Sequence, residues 1–78
     1  MRELKIGGKY RHYKGNLYEV IAVARDSENS QKELVVYKAL YDSPEFGPNQ
    51  IWVRPKEEFL EKVTKEGKSF YRFEEIGN

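Results

Sequence analysis

The sequence predicts one small, mainly β domain of about five antiparallel strands with a single short helical turn. Three observations carry this. The chain has 78 residues, enough for one domain and too few for two. Leu17–Arg25 and Leu34–Tyr41 are dense in β-branched and aromatic residues, which fit a pleated, half-buried surface. A turn at Lys14-Gly15-Asn16, a polar loop over 26–33, a proline-bearing loop over 42–49 and a turn at Glu66-Gly67 separate these runs into short segments. Residues 1–78 therefore form one domain, with the ordered core expected over about 8–74.

Gly7-Gly8 ends a short lead. Lys9-Tyr10-Arg11-His12-Tyr13 reads as a strand with Tyr10 and His12 on one face and Arg11 and Tyr13 on the other. Lys14-Gly15-Asn16 is a turn, since Gly and Asn tolerate positive φ. In Leu17–Arg25 one face, Tyr18, Val20, Ala22 and Ala24, is wholly apolar, and the other is nearly so, which predicts a central, strongly bent strand. Asp26–Glu33 is a polar loop, and Leu34–Tyr41 is the clearest strand. Asp42–Asn49 is a second loop whose two prolines set its course. Gln50–Arg54 is a short strand stopped by Pro55. One helical turn follows near 56–61, with Glu57 and Glu58 suited to its start. Phe59, Leu60 and Val63 are its expected buried side, and Ser69–Phe73 is the last strand. The predicted core is Val20, Ala22, Val35 or Val36, Leu40, Val53, Phe59 and Leu60. A count of five strands and a helical turn lies in the size range of small barrels.

Composition excludes several chemistries. There is no cysteine, so disulfides and thiolate metal sites are out, and a reducing, cytoplasmic setting fits. No apolar run approaches the roughly 20 residues that span a bilayer, and Met1–Ile6 lacks a signal-like apolar stretch. A membrane partner is not expected. Fourteen basic and 13 acidic residues leave a formal net charge of +1, which argues against a strongly cationic nucleic-acid binder. The charge is unevenly spread: residues 1–25 carry six basic side chains against two acidic ones.

The blocks Gly8-Lys9-Tyr10-Arg11-His12-Tyr13-Lys14-Gly15, Tyr18-Glu19-Val20, Val35-Val36-Tyr37 with Ala39-Leu40-Tyr41, Trp52-Val53-Arg54-Pro55 and Phe59 resemble a bacterial family named domain of unknown function 1653. The resemblance runs from Gly8 to about Phe73, with five blocks in order. It implies a small SH3-like barrel and supplies no established activity. Family members often carry a His near the start of the first polar loop, where this chain has Asp26.

His12 is the only histidine. No carboxylate or nucleophile adjoins it in sequence, so a structural role at a strand edge takes precedence over contact with an anionic or aromatic ligand. With one His and no Cys, neither a metal nor another cofactor is expected. Trp52 and Arg54 share a strand face, opposite Ile51 and Val53. If Ile51 and Val53 face the core, Trp52 is at the surface or under the helical turn, and at the surface it is a stacking platform beside a guanidinium; otherwise it is a core ring, and the two readings stand level. The tyrosines, Tyr37 among them, either pack across strands or line an aromatic groove. Glu57, Glu58 and Glu61 read as a solvated face and not as a paired-carboxylate site. An enzyme is therefore not expected. The expected function is a binding module for nucleic acid, RNA or single strands foremost, through Lys9, Arg11, His12, Tyr13, Lys14, Tyr37, Trp52 and Arg54. The alternative is a protein–protein adaptor that pairs through an exposed strand edge or self-associates.

Overall fold

The computed structural model describes residues 3–77. The strands are β1 (Lys9–His12), β2 (Leu17–Asp26), β3 (Asn29–Ala39), β4 (Asp42–Ser43), β5 (Gly47–Pro48) and β6 (Ile51–Pro55); helix α1 (Lys56–Leu60) follows, then β7 (Lys62–Lys65), β8 (Lys68–Tyr71) and β9 (Phe73–Gly77). Five of the strands form one antiparallel sheet in the order β6-β3-β2-β1-β9. The pairs β4-β5 and β7-β8 are separate small hairpins. Among the described residues, no helix is long and apolar enough to cross a membrane.

The sheet is strongly curled. Four inter-strand gaps would hold the edge strands of a flat sheet roughly 19 Å apart. Yet the guanidinium carbon of Arg54 on β6 lies 5.6 Å from the ring centre of Phe73 on β9. The two edges do not pair with each other, however. The expected barrel is thus not closed: the sheet is open along the seam between β6 and β9.

Inside the curl sits a largely aromatic core of Tyr10, Val20, Val35, Tyr37, Phe59 and Phe73. Phe59, carried in by α1, stacks on Phe73 at 4.0 Å with 7° between the planes. Tyr10 and Tyr37 each meet Phe59 edge-on at 5.3 Å. Large rings bury much area per residue, and edge-to-face and offset pairs add to it. This is how a thin domain without disulfides is filled. Leu4, Tyr18 and Leu60 pack against this cluster.

Several expectations need correction. Val53 is not a core residue: it is 59% exposed, and Ile51 is 48% exposed. The register pairs Trp52 with Tyr37 and Arg54 with Val35, which turns Trp52 and Arg54 inward and leaves Ile51 and Val53 outside. Ala22, Leu40 and Leu60 are only half-buried. In β2 a register shift lies between Val20 and Ala22. Ile21 is the extra residue of this bulge, so the inner face passes from Tyr18 and Val20 to Val23, opposite buried Val35. The supposed loop 26–33 is mostly strand. Only Ser27 and Glu28 turn, with Asp26 Oδ1 accepting from the Glu28 N–H at 2.8 Å. α1 ends at Leu60, and Val63 belongs to β7. The segment read as one last strand is two, β8 and β9, and β9 closes against β1. Glu66 and Gly67 form the β7-β8 turn, both at positive φ (54° and 77°), as a two-residue hairpin turn requires.

Replacing Val53 with Lys is expected to change stability by less than about 0.5 kcal/mol, the range of substitutions at exposed positions. A urea melt of the variant checks this.

Candidate binding site at the sheet seam

The seam gathers cations and rings. On β6, Arg54 reaches inward, and its aliphatic stem is placed to cover apolar surface while the charge stays near solvent. Its Nε donates to the Tyr37 hydroxyl at 3.4 Å, and its head lies over Phe73. One Arg54 nitrogen is 3.8 Å from Glu58, four residues on. Trp52, on the same face of β6, is 36% exposed and meets Phe46 edge-on at 5.5 Å. Phe46, 54% exposed, is brought there by the β4-β5 hairpin. Ser43 Oγ shapes that hairpin by accepting from the N–H groups of Glu45 and Phe46 at 3.2 and 3.3 Å.

His12 closes the other side of the seam. Its ring lies edge-on to Phe73 at 4.9 Å and tilted against Tyr13 at 4.6 Å. The backbone N–H of Lys14 donates to His12 Nδ1 at 3.2 Å. That bond needs Nδ1 unprotonated, so the neutral ring carries its proton on Nε2. Burial, followed by the charges of Arg54, Arg72 and Lys14, lowers the His12 pKa below its ordinary 6.5. The positive charges of three side chains thus act on one imidazole. Arg72, which sequence reasoning did not single out, stands between β8 and β9 and is anchored to Glu61 Oε1 by its Nη2 at 2.7 Å. Lys14 Nζ lies 5.9 Å from the Tyr13 ring centre.

Below the seam, Tyr18 and Tyr41 share a hydroxyl–hydroxyl hydrogen bond of 2.9 Å. Burial first, and then this bond, pushes the Tyr18 pKa well above the usual tyrosine range. The phenol therefore remains neutral, a donor and acceptor and not a base.

The eight candidates divide. His12, Tyr13, Lys14, Trp52 and Arg54 lie on or around the seam, whereas Tyr37 is buried in the core beneath it and meets the seam only through its hydroxyl, which accepts from Arg54. Lys9 and Arg11 lie opposite Glu19 and Leu17 on the outer side of β1, and Arg11 is paired with Glu74 at 3.3 Å. The geometry offers π-faces, donors and positive charge. Among the described residues, no three His, Asp or Glu side chains are grouped to hold a metal ion.

Because the folded chain holds the His12 pKa down, the unfolded chain binds that proton more readily. This part of the stability is present above about pH 6.5 and is lost as pH falls through the lowered value. The denaturation midpoint is expected to fall between about pH 7.5 and about pH 5.5, and His12→Asn should flatten that difference. Arg54→Gln should raise the His12 pKa toward its ordinary value, read from the imidazole proton shift by NMR.

The sequence profile of the family described as "Protein of unknown function (DUF1653)" matches residues 8–75. A crystal structure of a DUF1653 protein from Bordetella bronchiseptica is similar, with 30% sequence identity and a TM-score of 0.81. The match covers 99% of this chain and 92% of that one. No curated protein matches the chain.

Proposed function

The chain belongs to the DUF1653 family of proteins of unknown function, and from that premise we propose that it is a non-catalytic binding module for single-stranded nucleic acid, RNA foremost. The observation that carries this reading is the partly exposed Trp52, on the same face of β6 as Arg54 and edge-on to exposed Phe46, with His12, Lys14 and Arg72 on the other side of the seam. Exposed rings stack on bases of any sequence, and neighbouring cations track the phosphates. The curled sheet acts in this reading as an SH3-like small barrel left open along one seam, and the strand lies on that seam. A cysteine-free chain suits such a role in the reducing cytoplasm.

Arg54 and Arg72 already have acidic neighbours in Glu58 and Glu61, and the net charge is only +1. Binding is therefore weak, with few phosphate contacts. For two or three such contacts, the logarithm of affinity falls with that of salt at a slope of roughly −1.4 to −2. Fluorescence anisotropy with a labelled single-stranded RNA, from low to moderate salt, measures that slope. Failure to bind even at low salt, with the domain folded, removes the reading.

A second reading, a protein adaptor or self-associating domain, is favoured by β6. It is an edge strand, and Ile51 and Val53 on its outer side are exposed, which invites pairing with another strand. It predicts concentration-dependent association and no nucleic-acid signal.

A further inference from the structure

We propose that the pocket at the end of β1 holds one nucleobase of the bound strand, with the base edge read by Arg11 and Glu74. The proposal rests on the single-strand reading and assigns its base contact. The pocket has a volume of about 320 Å³ and is lined by His12, Tyr13, Phe70 and Tyr71, with Arg11 and Glu74 also contributing. This is the low end of ligand-pocket volumes, about 300–1,000 Å³, and suits one planar ring system better than a larger ligand.

The lining is aromatic and nearly continuous. Tyr13 lies between His12, at 4.6 Å, and Phe70, at 5.6 Å, with plane angles of 32° and 44°. Gly15 also lines the space. A Cβ there would meet nothing within 4 Å, so the surroundings of Gly15 are open.

The polar part fits a base edge. Arg11 Nη2 donates to Glu74 Oε1 at 3.3 Å, and their side chains are 51% and 65% exposed. So exposed a pair is weak and is readily exchanged for a ligand. The exchange needs a partner with an acceptor for the guanidinium beside a donor for the carboxylate. Base edges carry that arrangement, and guanine carries it most fully: O6 accepts from Arg11 while N1–H and the N2 amino group donate to the two carboxylate oxygens. Arg11 thereby gains a place in binding although it lies away from the Trp52–Arg54 surface.

The test compares labelled single-stranded octamers at low salt: a uniform abasic strand, and the same strand carrying one guanine, adenine, cytosine or uracil. The full chain and its Glu74→Gln and Tyr13→Ala variants are each first checked for cooperative melting. The single guanine is expected to tighten binding about tenfold over the abasic strand, with guanine first among the four. Glu74→Gln should erase the guanine preference, and Tyr13→Ala should weaken all four bases. NMR shifts at His12 and Tyr13 on adding the guanine strand should mark the pocket. If a single base tightens binding but guanine is not first among the four, or Glu74→Gln leaves the ranking unchanged, the pocket assignment is wrong and the single-strand reading stands; if a single base adds nothing over the abasic strand, no ring stacks on it and both fall. If no oligonucleotide binds, both fall.

Discussion

Replacing Phe59 with Ala is expected to abolish cooperative folding near room temperature. Phe59 is fully buried and stacked on Phe73 at 4.0 Å, with Tyr10 and Tyr37 edge-on against it. Truncating an enclosed Phe costs about 3–5 kcal/mol, because the lost transfer energy is joined by that of a cavity the surroundings only partly fill. A domain of this length holds roughly 4–12 kcal/mol in all, at about 0.05–0.15 kcal/mol per residue. The deficit is also not local. Phe59 is the one fully buried side chain of the five-residue α1, and half-buried Leu60 alone remains against the core once it is lost, so the helix loosens from the curled sheet. Circular dichroism melts of Phe59→Ala and Phe59→Leu check this: the first should show little or no cooperative transition, and the second a lowered one. An unchanged melt for Phe59→Ala would contradict the packing described above.

Trp52→Ala is expected to cost about 1–3 kcal/mol of single-strand binding, the usual loss when a stacking ring is removed. The fold should survive, since Trp52 lies at a sheet edge, is partly exposed and has Phe46 as its ring partner. Arg54→Ala should weaken binding and flatten the salt slope, because a phosphate contact goes with it. Lys65→Ala, on the exposed β7-β8 hairpin, should do neither. Titrations of the three variants against one labelled RNA, at two salt concentrations, separate these outcomes.

What the sequence conveyed follows from which forces it encodes locally. The positions of β1, β2, the core half of β3 from Leu34 and the helical turn were legible because β-branched and aromatic runs, the turn at Gly15-Asn16 and Pro55 mark them directly. The face of Val53 was not. Ile51-Trp52-Val53-Arg54 offers an apolar residue to either side, and only the pairing of Trp52 with Tyr37 decides which points inward. A strict period of two continuing from Val20 puts Ala22 in the core. The bulge at Ile21 shifts that period by one residue, and a strand apolar on both faces gives no sign of where the shift lies. The polar stretch 29–33 reads as loop, but a two-stranded ribbon beyond the core needs backbone pairing and no apolar side chains. β9 escaped for a similar reason: Phe73 is its one buried side chain, and Glu74 and Glu75 read as surface. Their partners, Arg11 and Lys5, lie more than sixty positions away in the chain.

The site was legible in part. Trp52 with Arg54, and His12 with Lys14, adjoin in sequence, and the fold keeps each pair together. That the two pairs face one seam depends on the sheet's curl, which no local pattern encodes. Lys9 and Arg11 share a basic segment with Lys14, yet strand alternation turns them outward. Arg72 carried a usable signal: it stands between Tyr71 and Phe73, an arginine flanked by two rings near the end of the chain.

The most direct test of the single-strand reading is an NMR titration of the isotopically labelled chain with a short single-stranded RNA at low salt. The expected result is a set of shifts at the Trp52 indole, the Arg54 side chain, His12 and the Lys14 amide, with Lys65 and the outer residues Val36 and Val53 unmoved. Shifts confined to the outward-facing Ile51 and Val53, or none at any residue of the seam, would contradict it.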